Sequence, residues 1–161
     1  VNGDGTFRLL RVVCAIDPGH VVNPDTIDAQ VETAVTYGLT AALFGNITID
    51  KGRVQQGNFD DYPMLTLRQM PVVETHIVAS GGFWGGMGEP PLPPVAPALC
   101  NALYAATGKP VNSLPVSTHG LRLAVFADVP ERFLHDTQDL YFRVFRQIIC
   151  DPFLLQEGLD P

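Results

Sequence analysis

Residues 81–94 read GGFWGGMGEPPLPP, five glycines followed by four prolines, with the chain's only tryptophan among them. No helix or central strand can run through such a stretch. Glycine leaves the backbone loose and open to close approach. Proline fixes φ and removes the amide donor that a ladder or helix needs. Whatever this chain folds into, its regular elements end before residue 81 and restart after residue 94. A single carboxylate, Glu89, stands where the glycine run meets the proline run.

The elements on either side follow from local patterns. Residues 6–16, TFRLLRVVCAI, are rich in β-branched and apolar side chains and read as a buried strand. The loop DPGHVVNPD comes next. A helix over 24–44 is predicted from Ile27, Val31, Val35, Leu39 and Leu43 at four-residue steps, with Ala34, Gly38 and Ala42 beside them. Asn23 suits its N-cap, Pro24 its first position and Gly45 its end. NITIDKGRVQQG alternates about Asp50-Lys51-Gly52-Arg53 and predicts a hairpin. VVETHIV, 72–78, reads as a second strand. A second helix over 95–107 places Val95, Leu99, Leu103 and Ala106 on one face, with Gly108 as its stop. DVPERFLHDTQDLYFRVFRQIIC in the tail is amphipathic and predicts a further helix. Strands and helices do not alternate regularly, so the expected class is α+β: a mixed sheet with two main packed helices.

The totals exclude several functions. At 161 residues one domain is expected. The chain is 46% apolar and 17% charged, which suits a packed core rather than disorder. A formal charge of −7 argues against nucleic acid or an anionic membrane surface as partner. No apolar run reaches membrane-spanning length. Cys14, Cys100 and Cys150 are odd in number and widely spaced, which points to packing thiols rather than a zinc site or disulfide framework, and to a reducing, cytoplasmic setting, with the periplasm as the alternative. The N-terminus, VNGDGTFRLLRVV, lacks a signal-peptide pattern and reads as a chain entered in its middle, either a fragment or a separate subunit.

Two readings stand for Glu89. One is a solvated glutamate in a surface turn. The other is a general base: Pro90 pushes Glu89 into an extended conformation, Pro91, Pro93 and Pro94 stiffen the backbone after it, and Gly85, Gly86 and Gly88 leave bare backbone facing a ligand. The remaining candidates are read as structural. His20, His76, His119 and His135 have no metal-ligand spacing. Ser80 lacks the nucleophile-elbow pattern, and the glycines match neither phosphate-loop signature. Asp60 and Asp61 read as a solvated turn. Gln30 and Glu32, two apart on the first helix, diverge and read as surface residues.

Three stretches together resemble a known family: GGMGEPPLPPVAPALCNALYAATGKPVNSLPV, the earlier CAIDPGHVVNPDTIDAQVETAVTYGLTAALFG, and GRVQQGNFDDYPMLTLRQMPVVETHIV between them. They are similar to the C-terminal end of the molybdopterin-binding large subunit of the xanthine oxidase family, nearest its isoquinoline 1-oxidoreductase and bacterial aldehyde dehydrogenase branches. The resemblance spans about residues 6–116. It implies that residues 1–116 are the C-terminal portion of a molybdopterin-binding domain. Residues 117–161 match nothing in the family and are read as a partly helical tail of unassigned role.

The resemblance also implies a chemistry. The family's Gly-x-Gly-Glu-Pro glutamate is the active-site base, and Glu89 alone matches it. Glu89 would then deprotonate a molybdenum-bound hydroxide whose oxygen attacks an electron-poor carbon of a heteroaromatic ring or aldehyde. Gly86, Met87 and Gly88 match backbone lying against the cofactor. Implied partners are the remaining large-subunit segments and a small iron–sulfur subunit. The chain alone is expected to lack cofactor and activity, and to form a homodimer. Thr33 departs from the family, which commonly has glycine there. The competing expectations are a non-catalytic remnant that binds a partner chain or itself, and an unrelated ligand-binding module.

Overall fold

The computed structural model describes residues 1–58 and 60–125. Its elements run β1 (Thr6–Phe7), β2 (Arg11–Ile16), α1 (Pro24–Phe44), β3 (Ile49–Asp50), β4 (Arg53–Val54), β5 (Val72–Ile77), α2 (Val95–Thr107), a short 3-10 helix (Val116–His119) and β6 (Arg122–Leu123). The class is α+β. The strands form three separate two-stranded ladders: β1 with β6 and β2 with β5, both parallel, and the β3–β4 hairpin. The helix expected at 128–150 lies outside the described residues.

The strand expected over 6–16 is two strands. Its halves serve different ladders, β1 pairing with β6 and β2 with β5, so the chain steps sideways at residues 8–10. Packing also continues beyond residue 116: Val116 is wholly buried, and the Ala124 amide donates to the Phe7 carbonyl at 2.8 Å.

Helix α1 is the centre of the core. The Asn23 side chain accepts from the Asp25 amide at 3.0 Å, and Pro24 opens the first turn, as the sequence predicts. Ile27, Val31, Val35, Leu39 and Leu43 are all buried. Gly45 ends the helix by donating its amide to the Ala41 and Thr40 carbonyls, without a left-handed φ. Gly38 sets the distance to α2. A Cβ there would stand 2.7 Å from the Val95 Cβ, closer than side chains pack, so this glycine is what lets the helices meet. The buried Thr40 hydroxyl accepts the Leu65 amide at 3.2 Å and ties the 57–71 connection to α1.

Helix α2 buries Val95, Leu99 and Leu103 and stops at Gly108 in the left-handed region (φ 69°). Ala106 is exposed rather than part of the stripe. The last turn has run past α1, and it is Thr107, bonded to the Leu103 carbonyl, that is half-buried there.

Strands β2 and β5 run side by side in register from Arg11↔Val72 to Ile16↔Ile77. Val12, Cys14 and Ile16 pack with Val73 and Ile77 against the core, as a two-residue period requires. Ala15, Val72 and His76 are exposed, so the other face is open. Arg11 and Glu74 pair across the ladder. Because the strands are parallel and aligned, the loops leaving Ile16 and Ile77 emerge at the same end.

Candidate active site

The site is built from those two loops. Asp17 follows β2 directly. Its Oδ1 accepts the Gly19 amide at 2.8 Å, the Ser80 hydroxyl at 3.0 Å and the Ser80 amide at 3.3 Å. These donors hold the Asp17 carboxyl below the usual carboxylate range, the Gly19 amide contributing most and the Ser80 hydroxyl next. The Gly85 amide donates to the Pro18 carbonyl at 2.9 Å and the Gly81 amide to the Gly19 carbonyl at 3.3 Å. Gly19 has φ +75°, and a Cβ on it would fall 2.1 Å from the Phe83 carbonyl oxygen. Only glycine fits this crossing. Beside it the His20 and Trp84 rings lie 5.1 Å apart at 30°.

Beyond Gly85 the second loop loses these ties. At Gly86 a side chain would meet nothing within 4 Å. Among the described residues no hydrogen bond takes up the amides of Gly86, Met87 or Gly88. Met87 is half-buried against the core. A Cβ at Gly88 would stand 3.5 Å from the Gln30 Oε1, so α1 reaches the loop through Gln30. Glu89 is exposed, and its carbonyl accepts the Leu92 amide at 2.9 Å, starting the turn that leads to α2. Pro91 is buried beneath it.

The four residues singled out from sequence, Gly86, Met87, Gly88 and Glu89, therefore form one continuous edge. It offers three unused backbone donors, room for close approach at Gly86, and one carboxylate. Such an edge suits a ligand rich in acceptor atoms laid along the backbone. A pterin-type cofactor fits that donor set. Two shallow hollows lie elsewhere, one lined by Ile47, Gln56 and Tyr62, the other by Cys100, Asn101 and Val111, and neither involves Glu89.

Asp17, His20 and Gln30 were not legible as members of this site. Asp17 and Ser80 are 63 residues apart, and nothing local announces their contact. Gln30 looks like a surface residue because its neighbour in space, Gly88, is reached only through the tertiary fold. The other histidines stay structural: His119 Nε2 bonds Ser113, and His76 lies 3.8 Å from the Glu74 carboxylate. His135 lies outside the described residues. Asp61 caps its own turn by accepting the Gly57 and Asn58 amides, which hold its carboxyl below the usual range. Cys14 and Cys100 are free and half-buried, and burial pushes both thiols up. No group of three or more His, Cys, Asp or Glu among the described residues is arranged to hold a metal ion. No described helix is long and apolar enough to cross a membrane.

Comparison with known proteins places the chain in a family. The family model for a molybdopterin cofactor-binding domain matches residues 2–71. The beta subunit of isoquinoline 1-oxidoreductase from Brevundimonas diminuta is 37% identical over 115 residues, covering 71% of this chain and 15% of the relative. The xanthine dehydrogenase molybdenum-binding subunit of Escherichia coli O157:H7 is 36% identical over 114 residues, covering 66% of this chain and 15% of the relative. Quinoline 2-oxidoreductase from Pseudomonas putida 86 shares the fold, with a TM-score of 0.60 at 17% identity over 76% of this chain and 17% of that one. The fold and the matched sequence define a segment of a molybdenum cofactor-binding domain. The chain belongs to the xanthine oxidase family and matches a segment of its molybdenum-binding subunits. It spans about 15% of the length of the two sequence relatives.

Proposed function

We propose that this chain is part of a molybdenum hydroxylase that oxidises N-heteroaromatic or aldehyde substrates with water as the oxygen source, and that Glu89 is its general base. The observation that carries the reading is the edge at residues 86–89, where three unused amides and a carboxylate adjoin a backbone kept open by glycine. Gly86, Met87 and Gly88 would hold a molybdopterin cofactor along their backbone. The cofactor, when bound, supplies the electron-accepting centre for the oxidation. Glu89 accepts the proton that the oxygen nucleophile loses as it adds to the substrate's electron-poor carbon. The turn through Pro90 and the buried Pro91 fixes the backbone from which that carboxylate projects.

In this reading residues 1–116 supply the C-terminal portion of the cofactor-binding domain, followed by 117–161. The rest of the large subunit encloses the edge, and a small iron–sulfur subunit carries electrons off. The exposed face of the β2–β5 ladder supports such a setting, since parallel strands are ordinarily covered on both faces.

The test is Glu89→Gln in a complete enzyme containing this segment. Turnover is expected to fall by about 10²–10⁴-fold with molybdenum content unchanged. A surface-turn glutamate predicts near-normal turnover at full metal occupancy, and that result would end the assignment.

The second reading is a non-catalytic, self-associating module. Its support is the apolar surface left open, with Phe83 95% and Leu67 93% exposed. Both readings predict that the purified chain alone carries no molybdenum and has the mass of a two-fold dimer. Elemental analysis and light scattering on one sample check this. Stoichiometric metal or a monomer at micromolar concentration would contradict it.

A further inference from the structure

We infer that Asp17 is a positioning residue that fixes the loop carrying Glu89. The inference rests on the assignment of Glu89 as the base, but the contact it describes can be measured without it. Glu89 belongs to a long irregular segment, from Val78 to Pro94, which has no ladder of its own. Its far end is anchored by α2, whose Val95 packs on Gly38. Its near end is joined to β2 by the Val78 amide, which donates to the Ile16 carbonyl at 2.9 Å, and after that only to the loop following β2, where Asp17 is the hub.

One oxygen, Oδ1, gathers the Ser80 amide, the Ser80 hydroxyl and the Gly19 amide. The last of these bends the Asp17–His20 turn so that the Pro18 and Gly19 carbonyls face the second loop. Those carbonyls then take the Gly85 and Gly81 amides. Removing Oδ1 therefore loosens the direct bonds to Ser80 and the shape of the turn that makes the other two. Beyond Gly85 the backbone makes no further hydrogen bond among the described residues until the Glu89 carbonyl accepts the Leu92 amide, with only the half-buried Met87 side chain packed on the core between them. A shift at residues 80–85 therefore reaches Glu89 through Gly86 and Met87. Misplacement of a catalytic group by about 1 Å can cost about 10²-fold in rate.

The chemistry separates the variants. Asp17→Ala removes the acceptor. Asp17→Asn keeps a carbonyl oxygen that can occupy the Oδ1 position. Ser80→Ala removes one donor and leaves the backbone bonds. The experiment is residue-resolved amide hydrogen exchange on the full 161-residue chain. Asp17→Ala is expected to speed exchange at Gly19, Ser80, Gly81 and Gly85 about five- to tenfold, with the amides of α1 unchanged. Asp17→Asn should recover most of the protection, and Ser80→Ala should show about a twofold change at Gly81 and Gly85.

Unchanged exchange in Asp17→Ala, or Asp17→Asn as damaging as Asp17→Ala, overturns the inference. If Asp17→Ala also exposes α1, Ser80→Ala decides: faster exchange at Gly81 and Gly85 supports the latch, and unchanged exchange overturns it. In a complete enzyme the same series should lower kcat while leaving KM within about twofold, with Asp17→Asn restoring the rate. A looser loop in Asp17→Ala, combined with a Glu89→Gln enzyme of normal turnover, supports the latch and removes only the base assignment.

Discussion

Helix α1 touches both halves of this molecule, and the two contacts are unlike. In its C-terminal half it meets α2 through Gly38 and Val95, alongside fully buried apolar residues such as Val35 and Leu39. Near its start it meets the glycine loop through the exposed Gln30 against Gly88, while Met87 of that loop packs half-buried against the core. The helix–helix side is held by burial, which is non-directional and strong in sum. The loop contact combines a few directional bonds centred on Asp17 with the burial of Pro18, Gly19 and Pro91 and the partial burial of Met87. Burial gives stability but leaves no free polar atoms. The loop face leaves the Gly86, Met87 and Gly88 amides and the Glu89 carboxylate available, at the expense of local stability. In the proposed reading, stability and chemistry thus rest on two different contacts of one helix, about two turns apart at Gly38 and Gln30.

That division is breakable. Its largest expected effect is the turnover loss of about 10²–10⁴-fold for Glu89→Gln, accompanied by no change in the urea midpoint of the chain. A shifted midpoint would mean that the loop face is part of the stabilising core after all. Next comes the mirror experiment. Leu39, 1% exposed in the heart of the packed side, should cost about 2–5 kcal/mol on replacement by Ala, read from urea denaturation. Exchange at Ser80 and Gly85 relative to the global rate should stay as it was. If those loop amides loosen first in Leu39→Ala, the two sides are coupled through α1 and the comparison fails.

The smallest effect is that of pH. Asp17 and Asp61 both have folded-state pKa values below the ordinary one, through accepted amide and hydroxyl bonds. A depressed pKa contributes stabilisation that is fully present above the unfolded value, about 3.9, and is lost as pH falls through the lower folded values. Both loops should therefore hold from neutrality down to about pH 4 and loosen below it, while the apolar α1–α2 contact persists. The amide chemical shifts of Ser80 and Gly57, followed from pH 6 to pH 2, report this; midpoints above the ordinary aspartate value would contradict the bonding described.

Much of this was legible because its signals are local. Asn23-Pro24 and the four-residue apolar step set the bounds of α1. Asp50-Lys51-Gly52-Arg53 set the hairpin, Lys51 and Gly52 both taking positive φ in its turn. Gly108 set the end of α2. The glycine and proline run at residues 81–94 marked the irregular stretch between β5 and α2. Each of these is decided by φ preferences, caps and periodicities acting within a few residues. The tertiary structure alone decided that residues 6–16 divide between two ladders, that β2 and β5 lie parallel and in register, that Asp17 finds Ser80, and that Gln30 meets Gly88. Those contacts join residues 58 to 116 positions apart, and no local preference of either partner encodes the other. They exist because burying the stripe of α1 against β2, β5 and α2 brings the ends of two strands together, and only then can a carboxylate and a serine compete with water for each other.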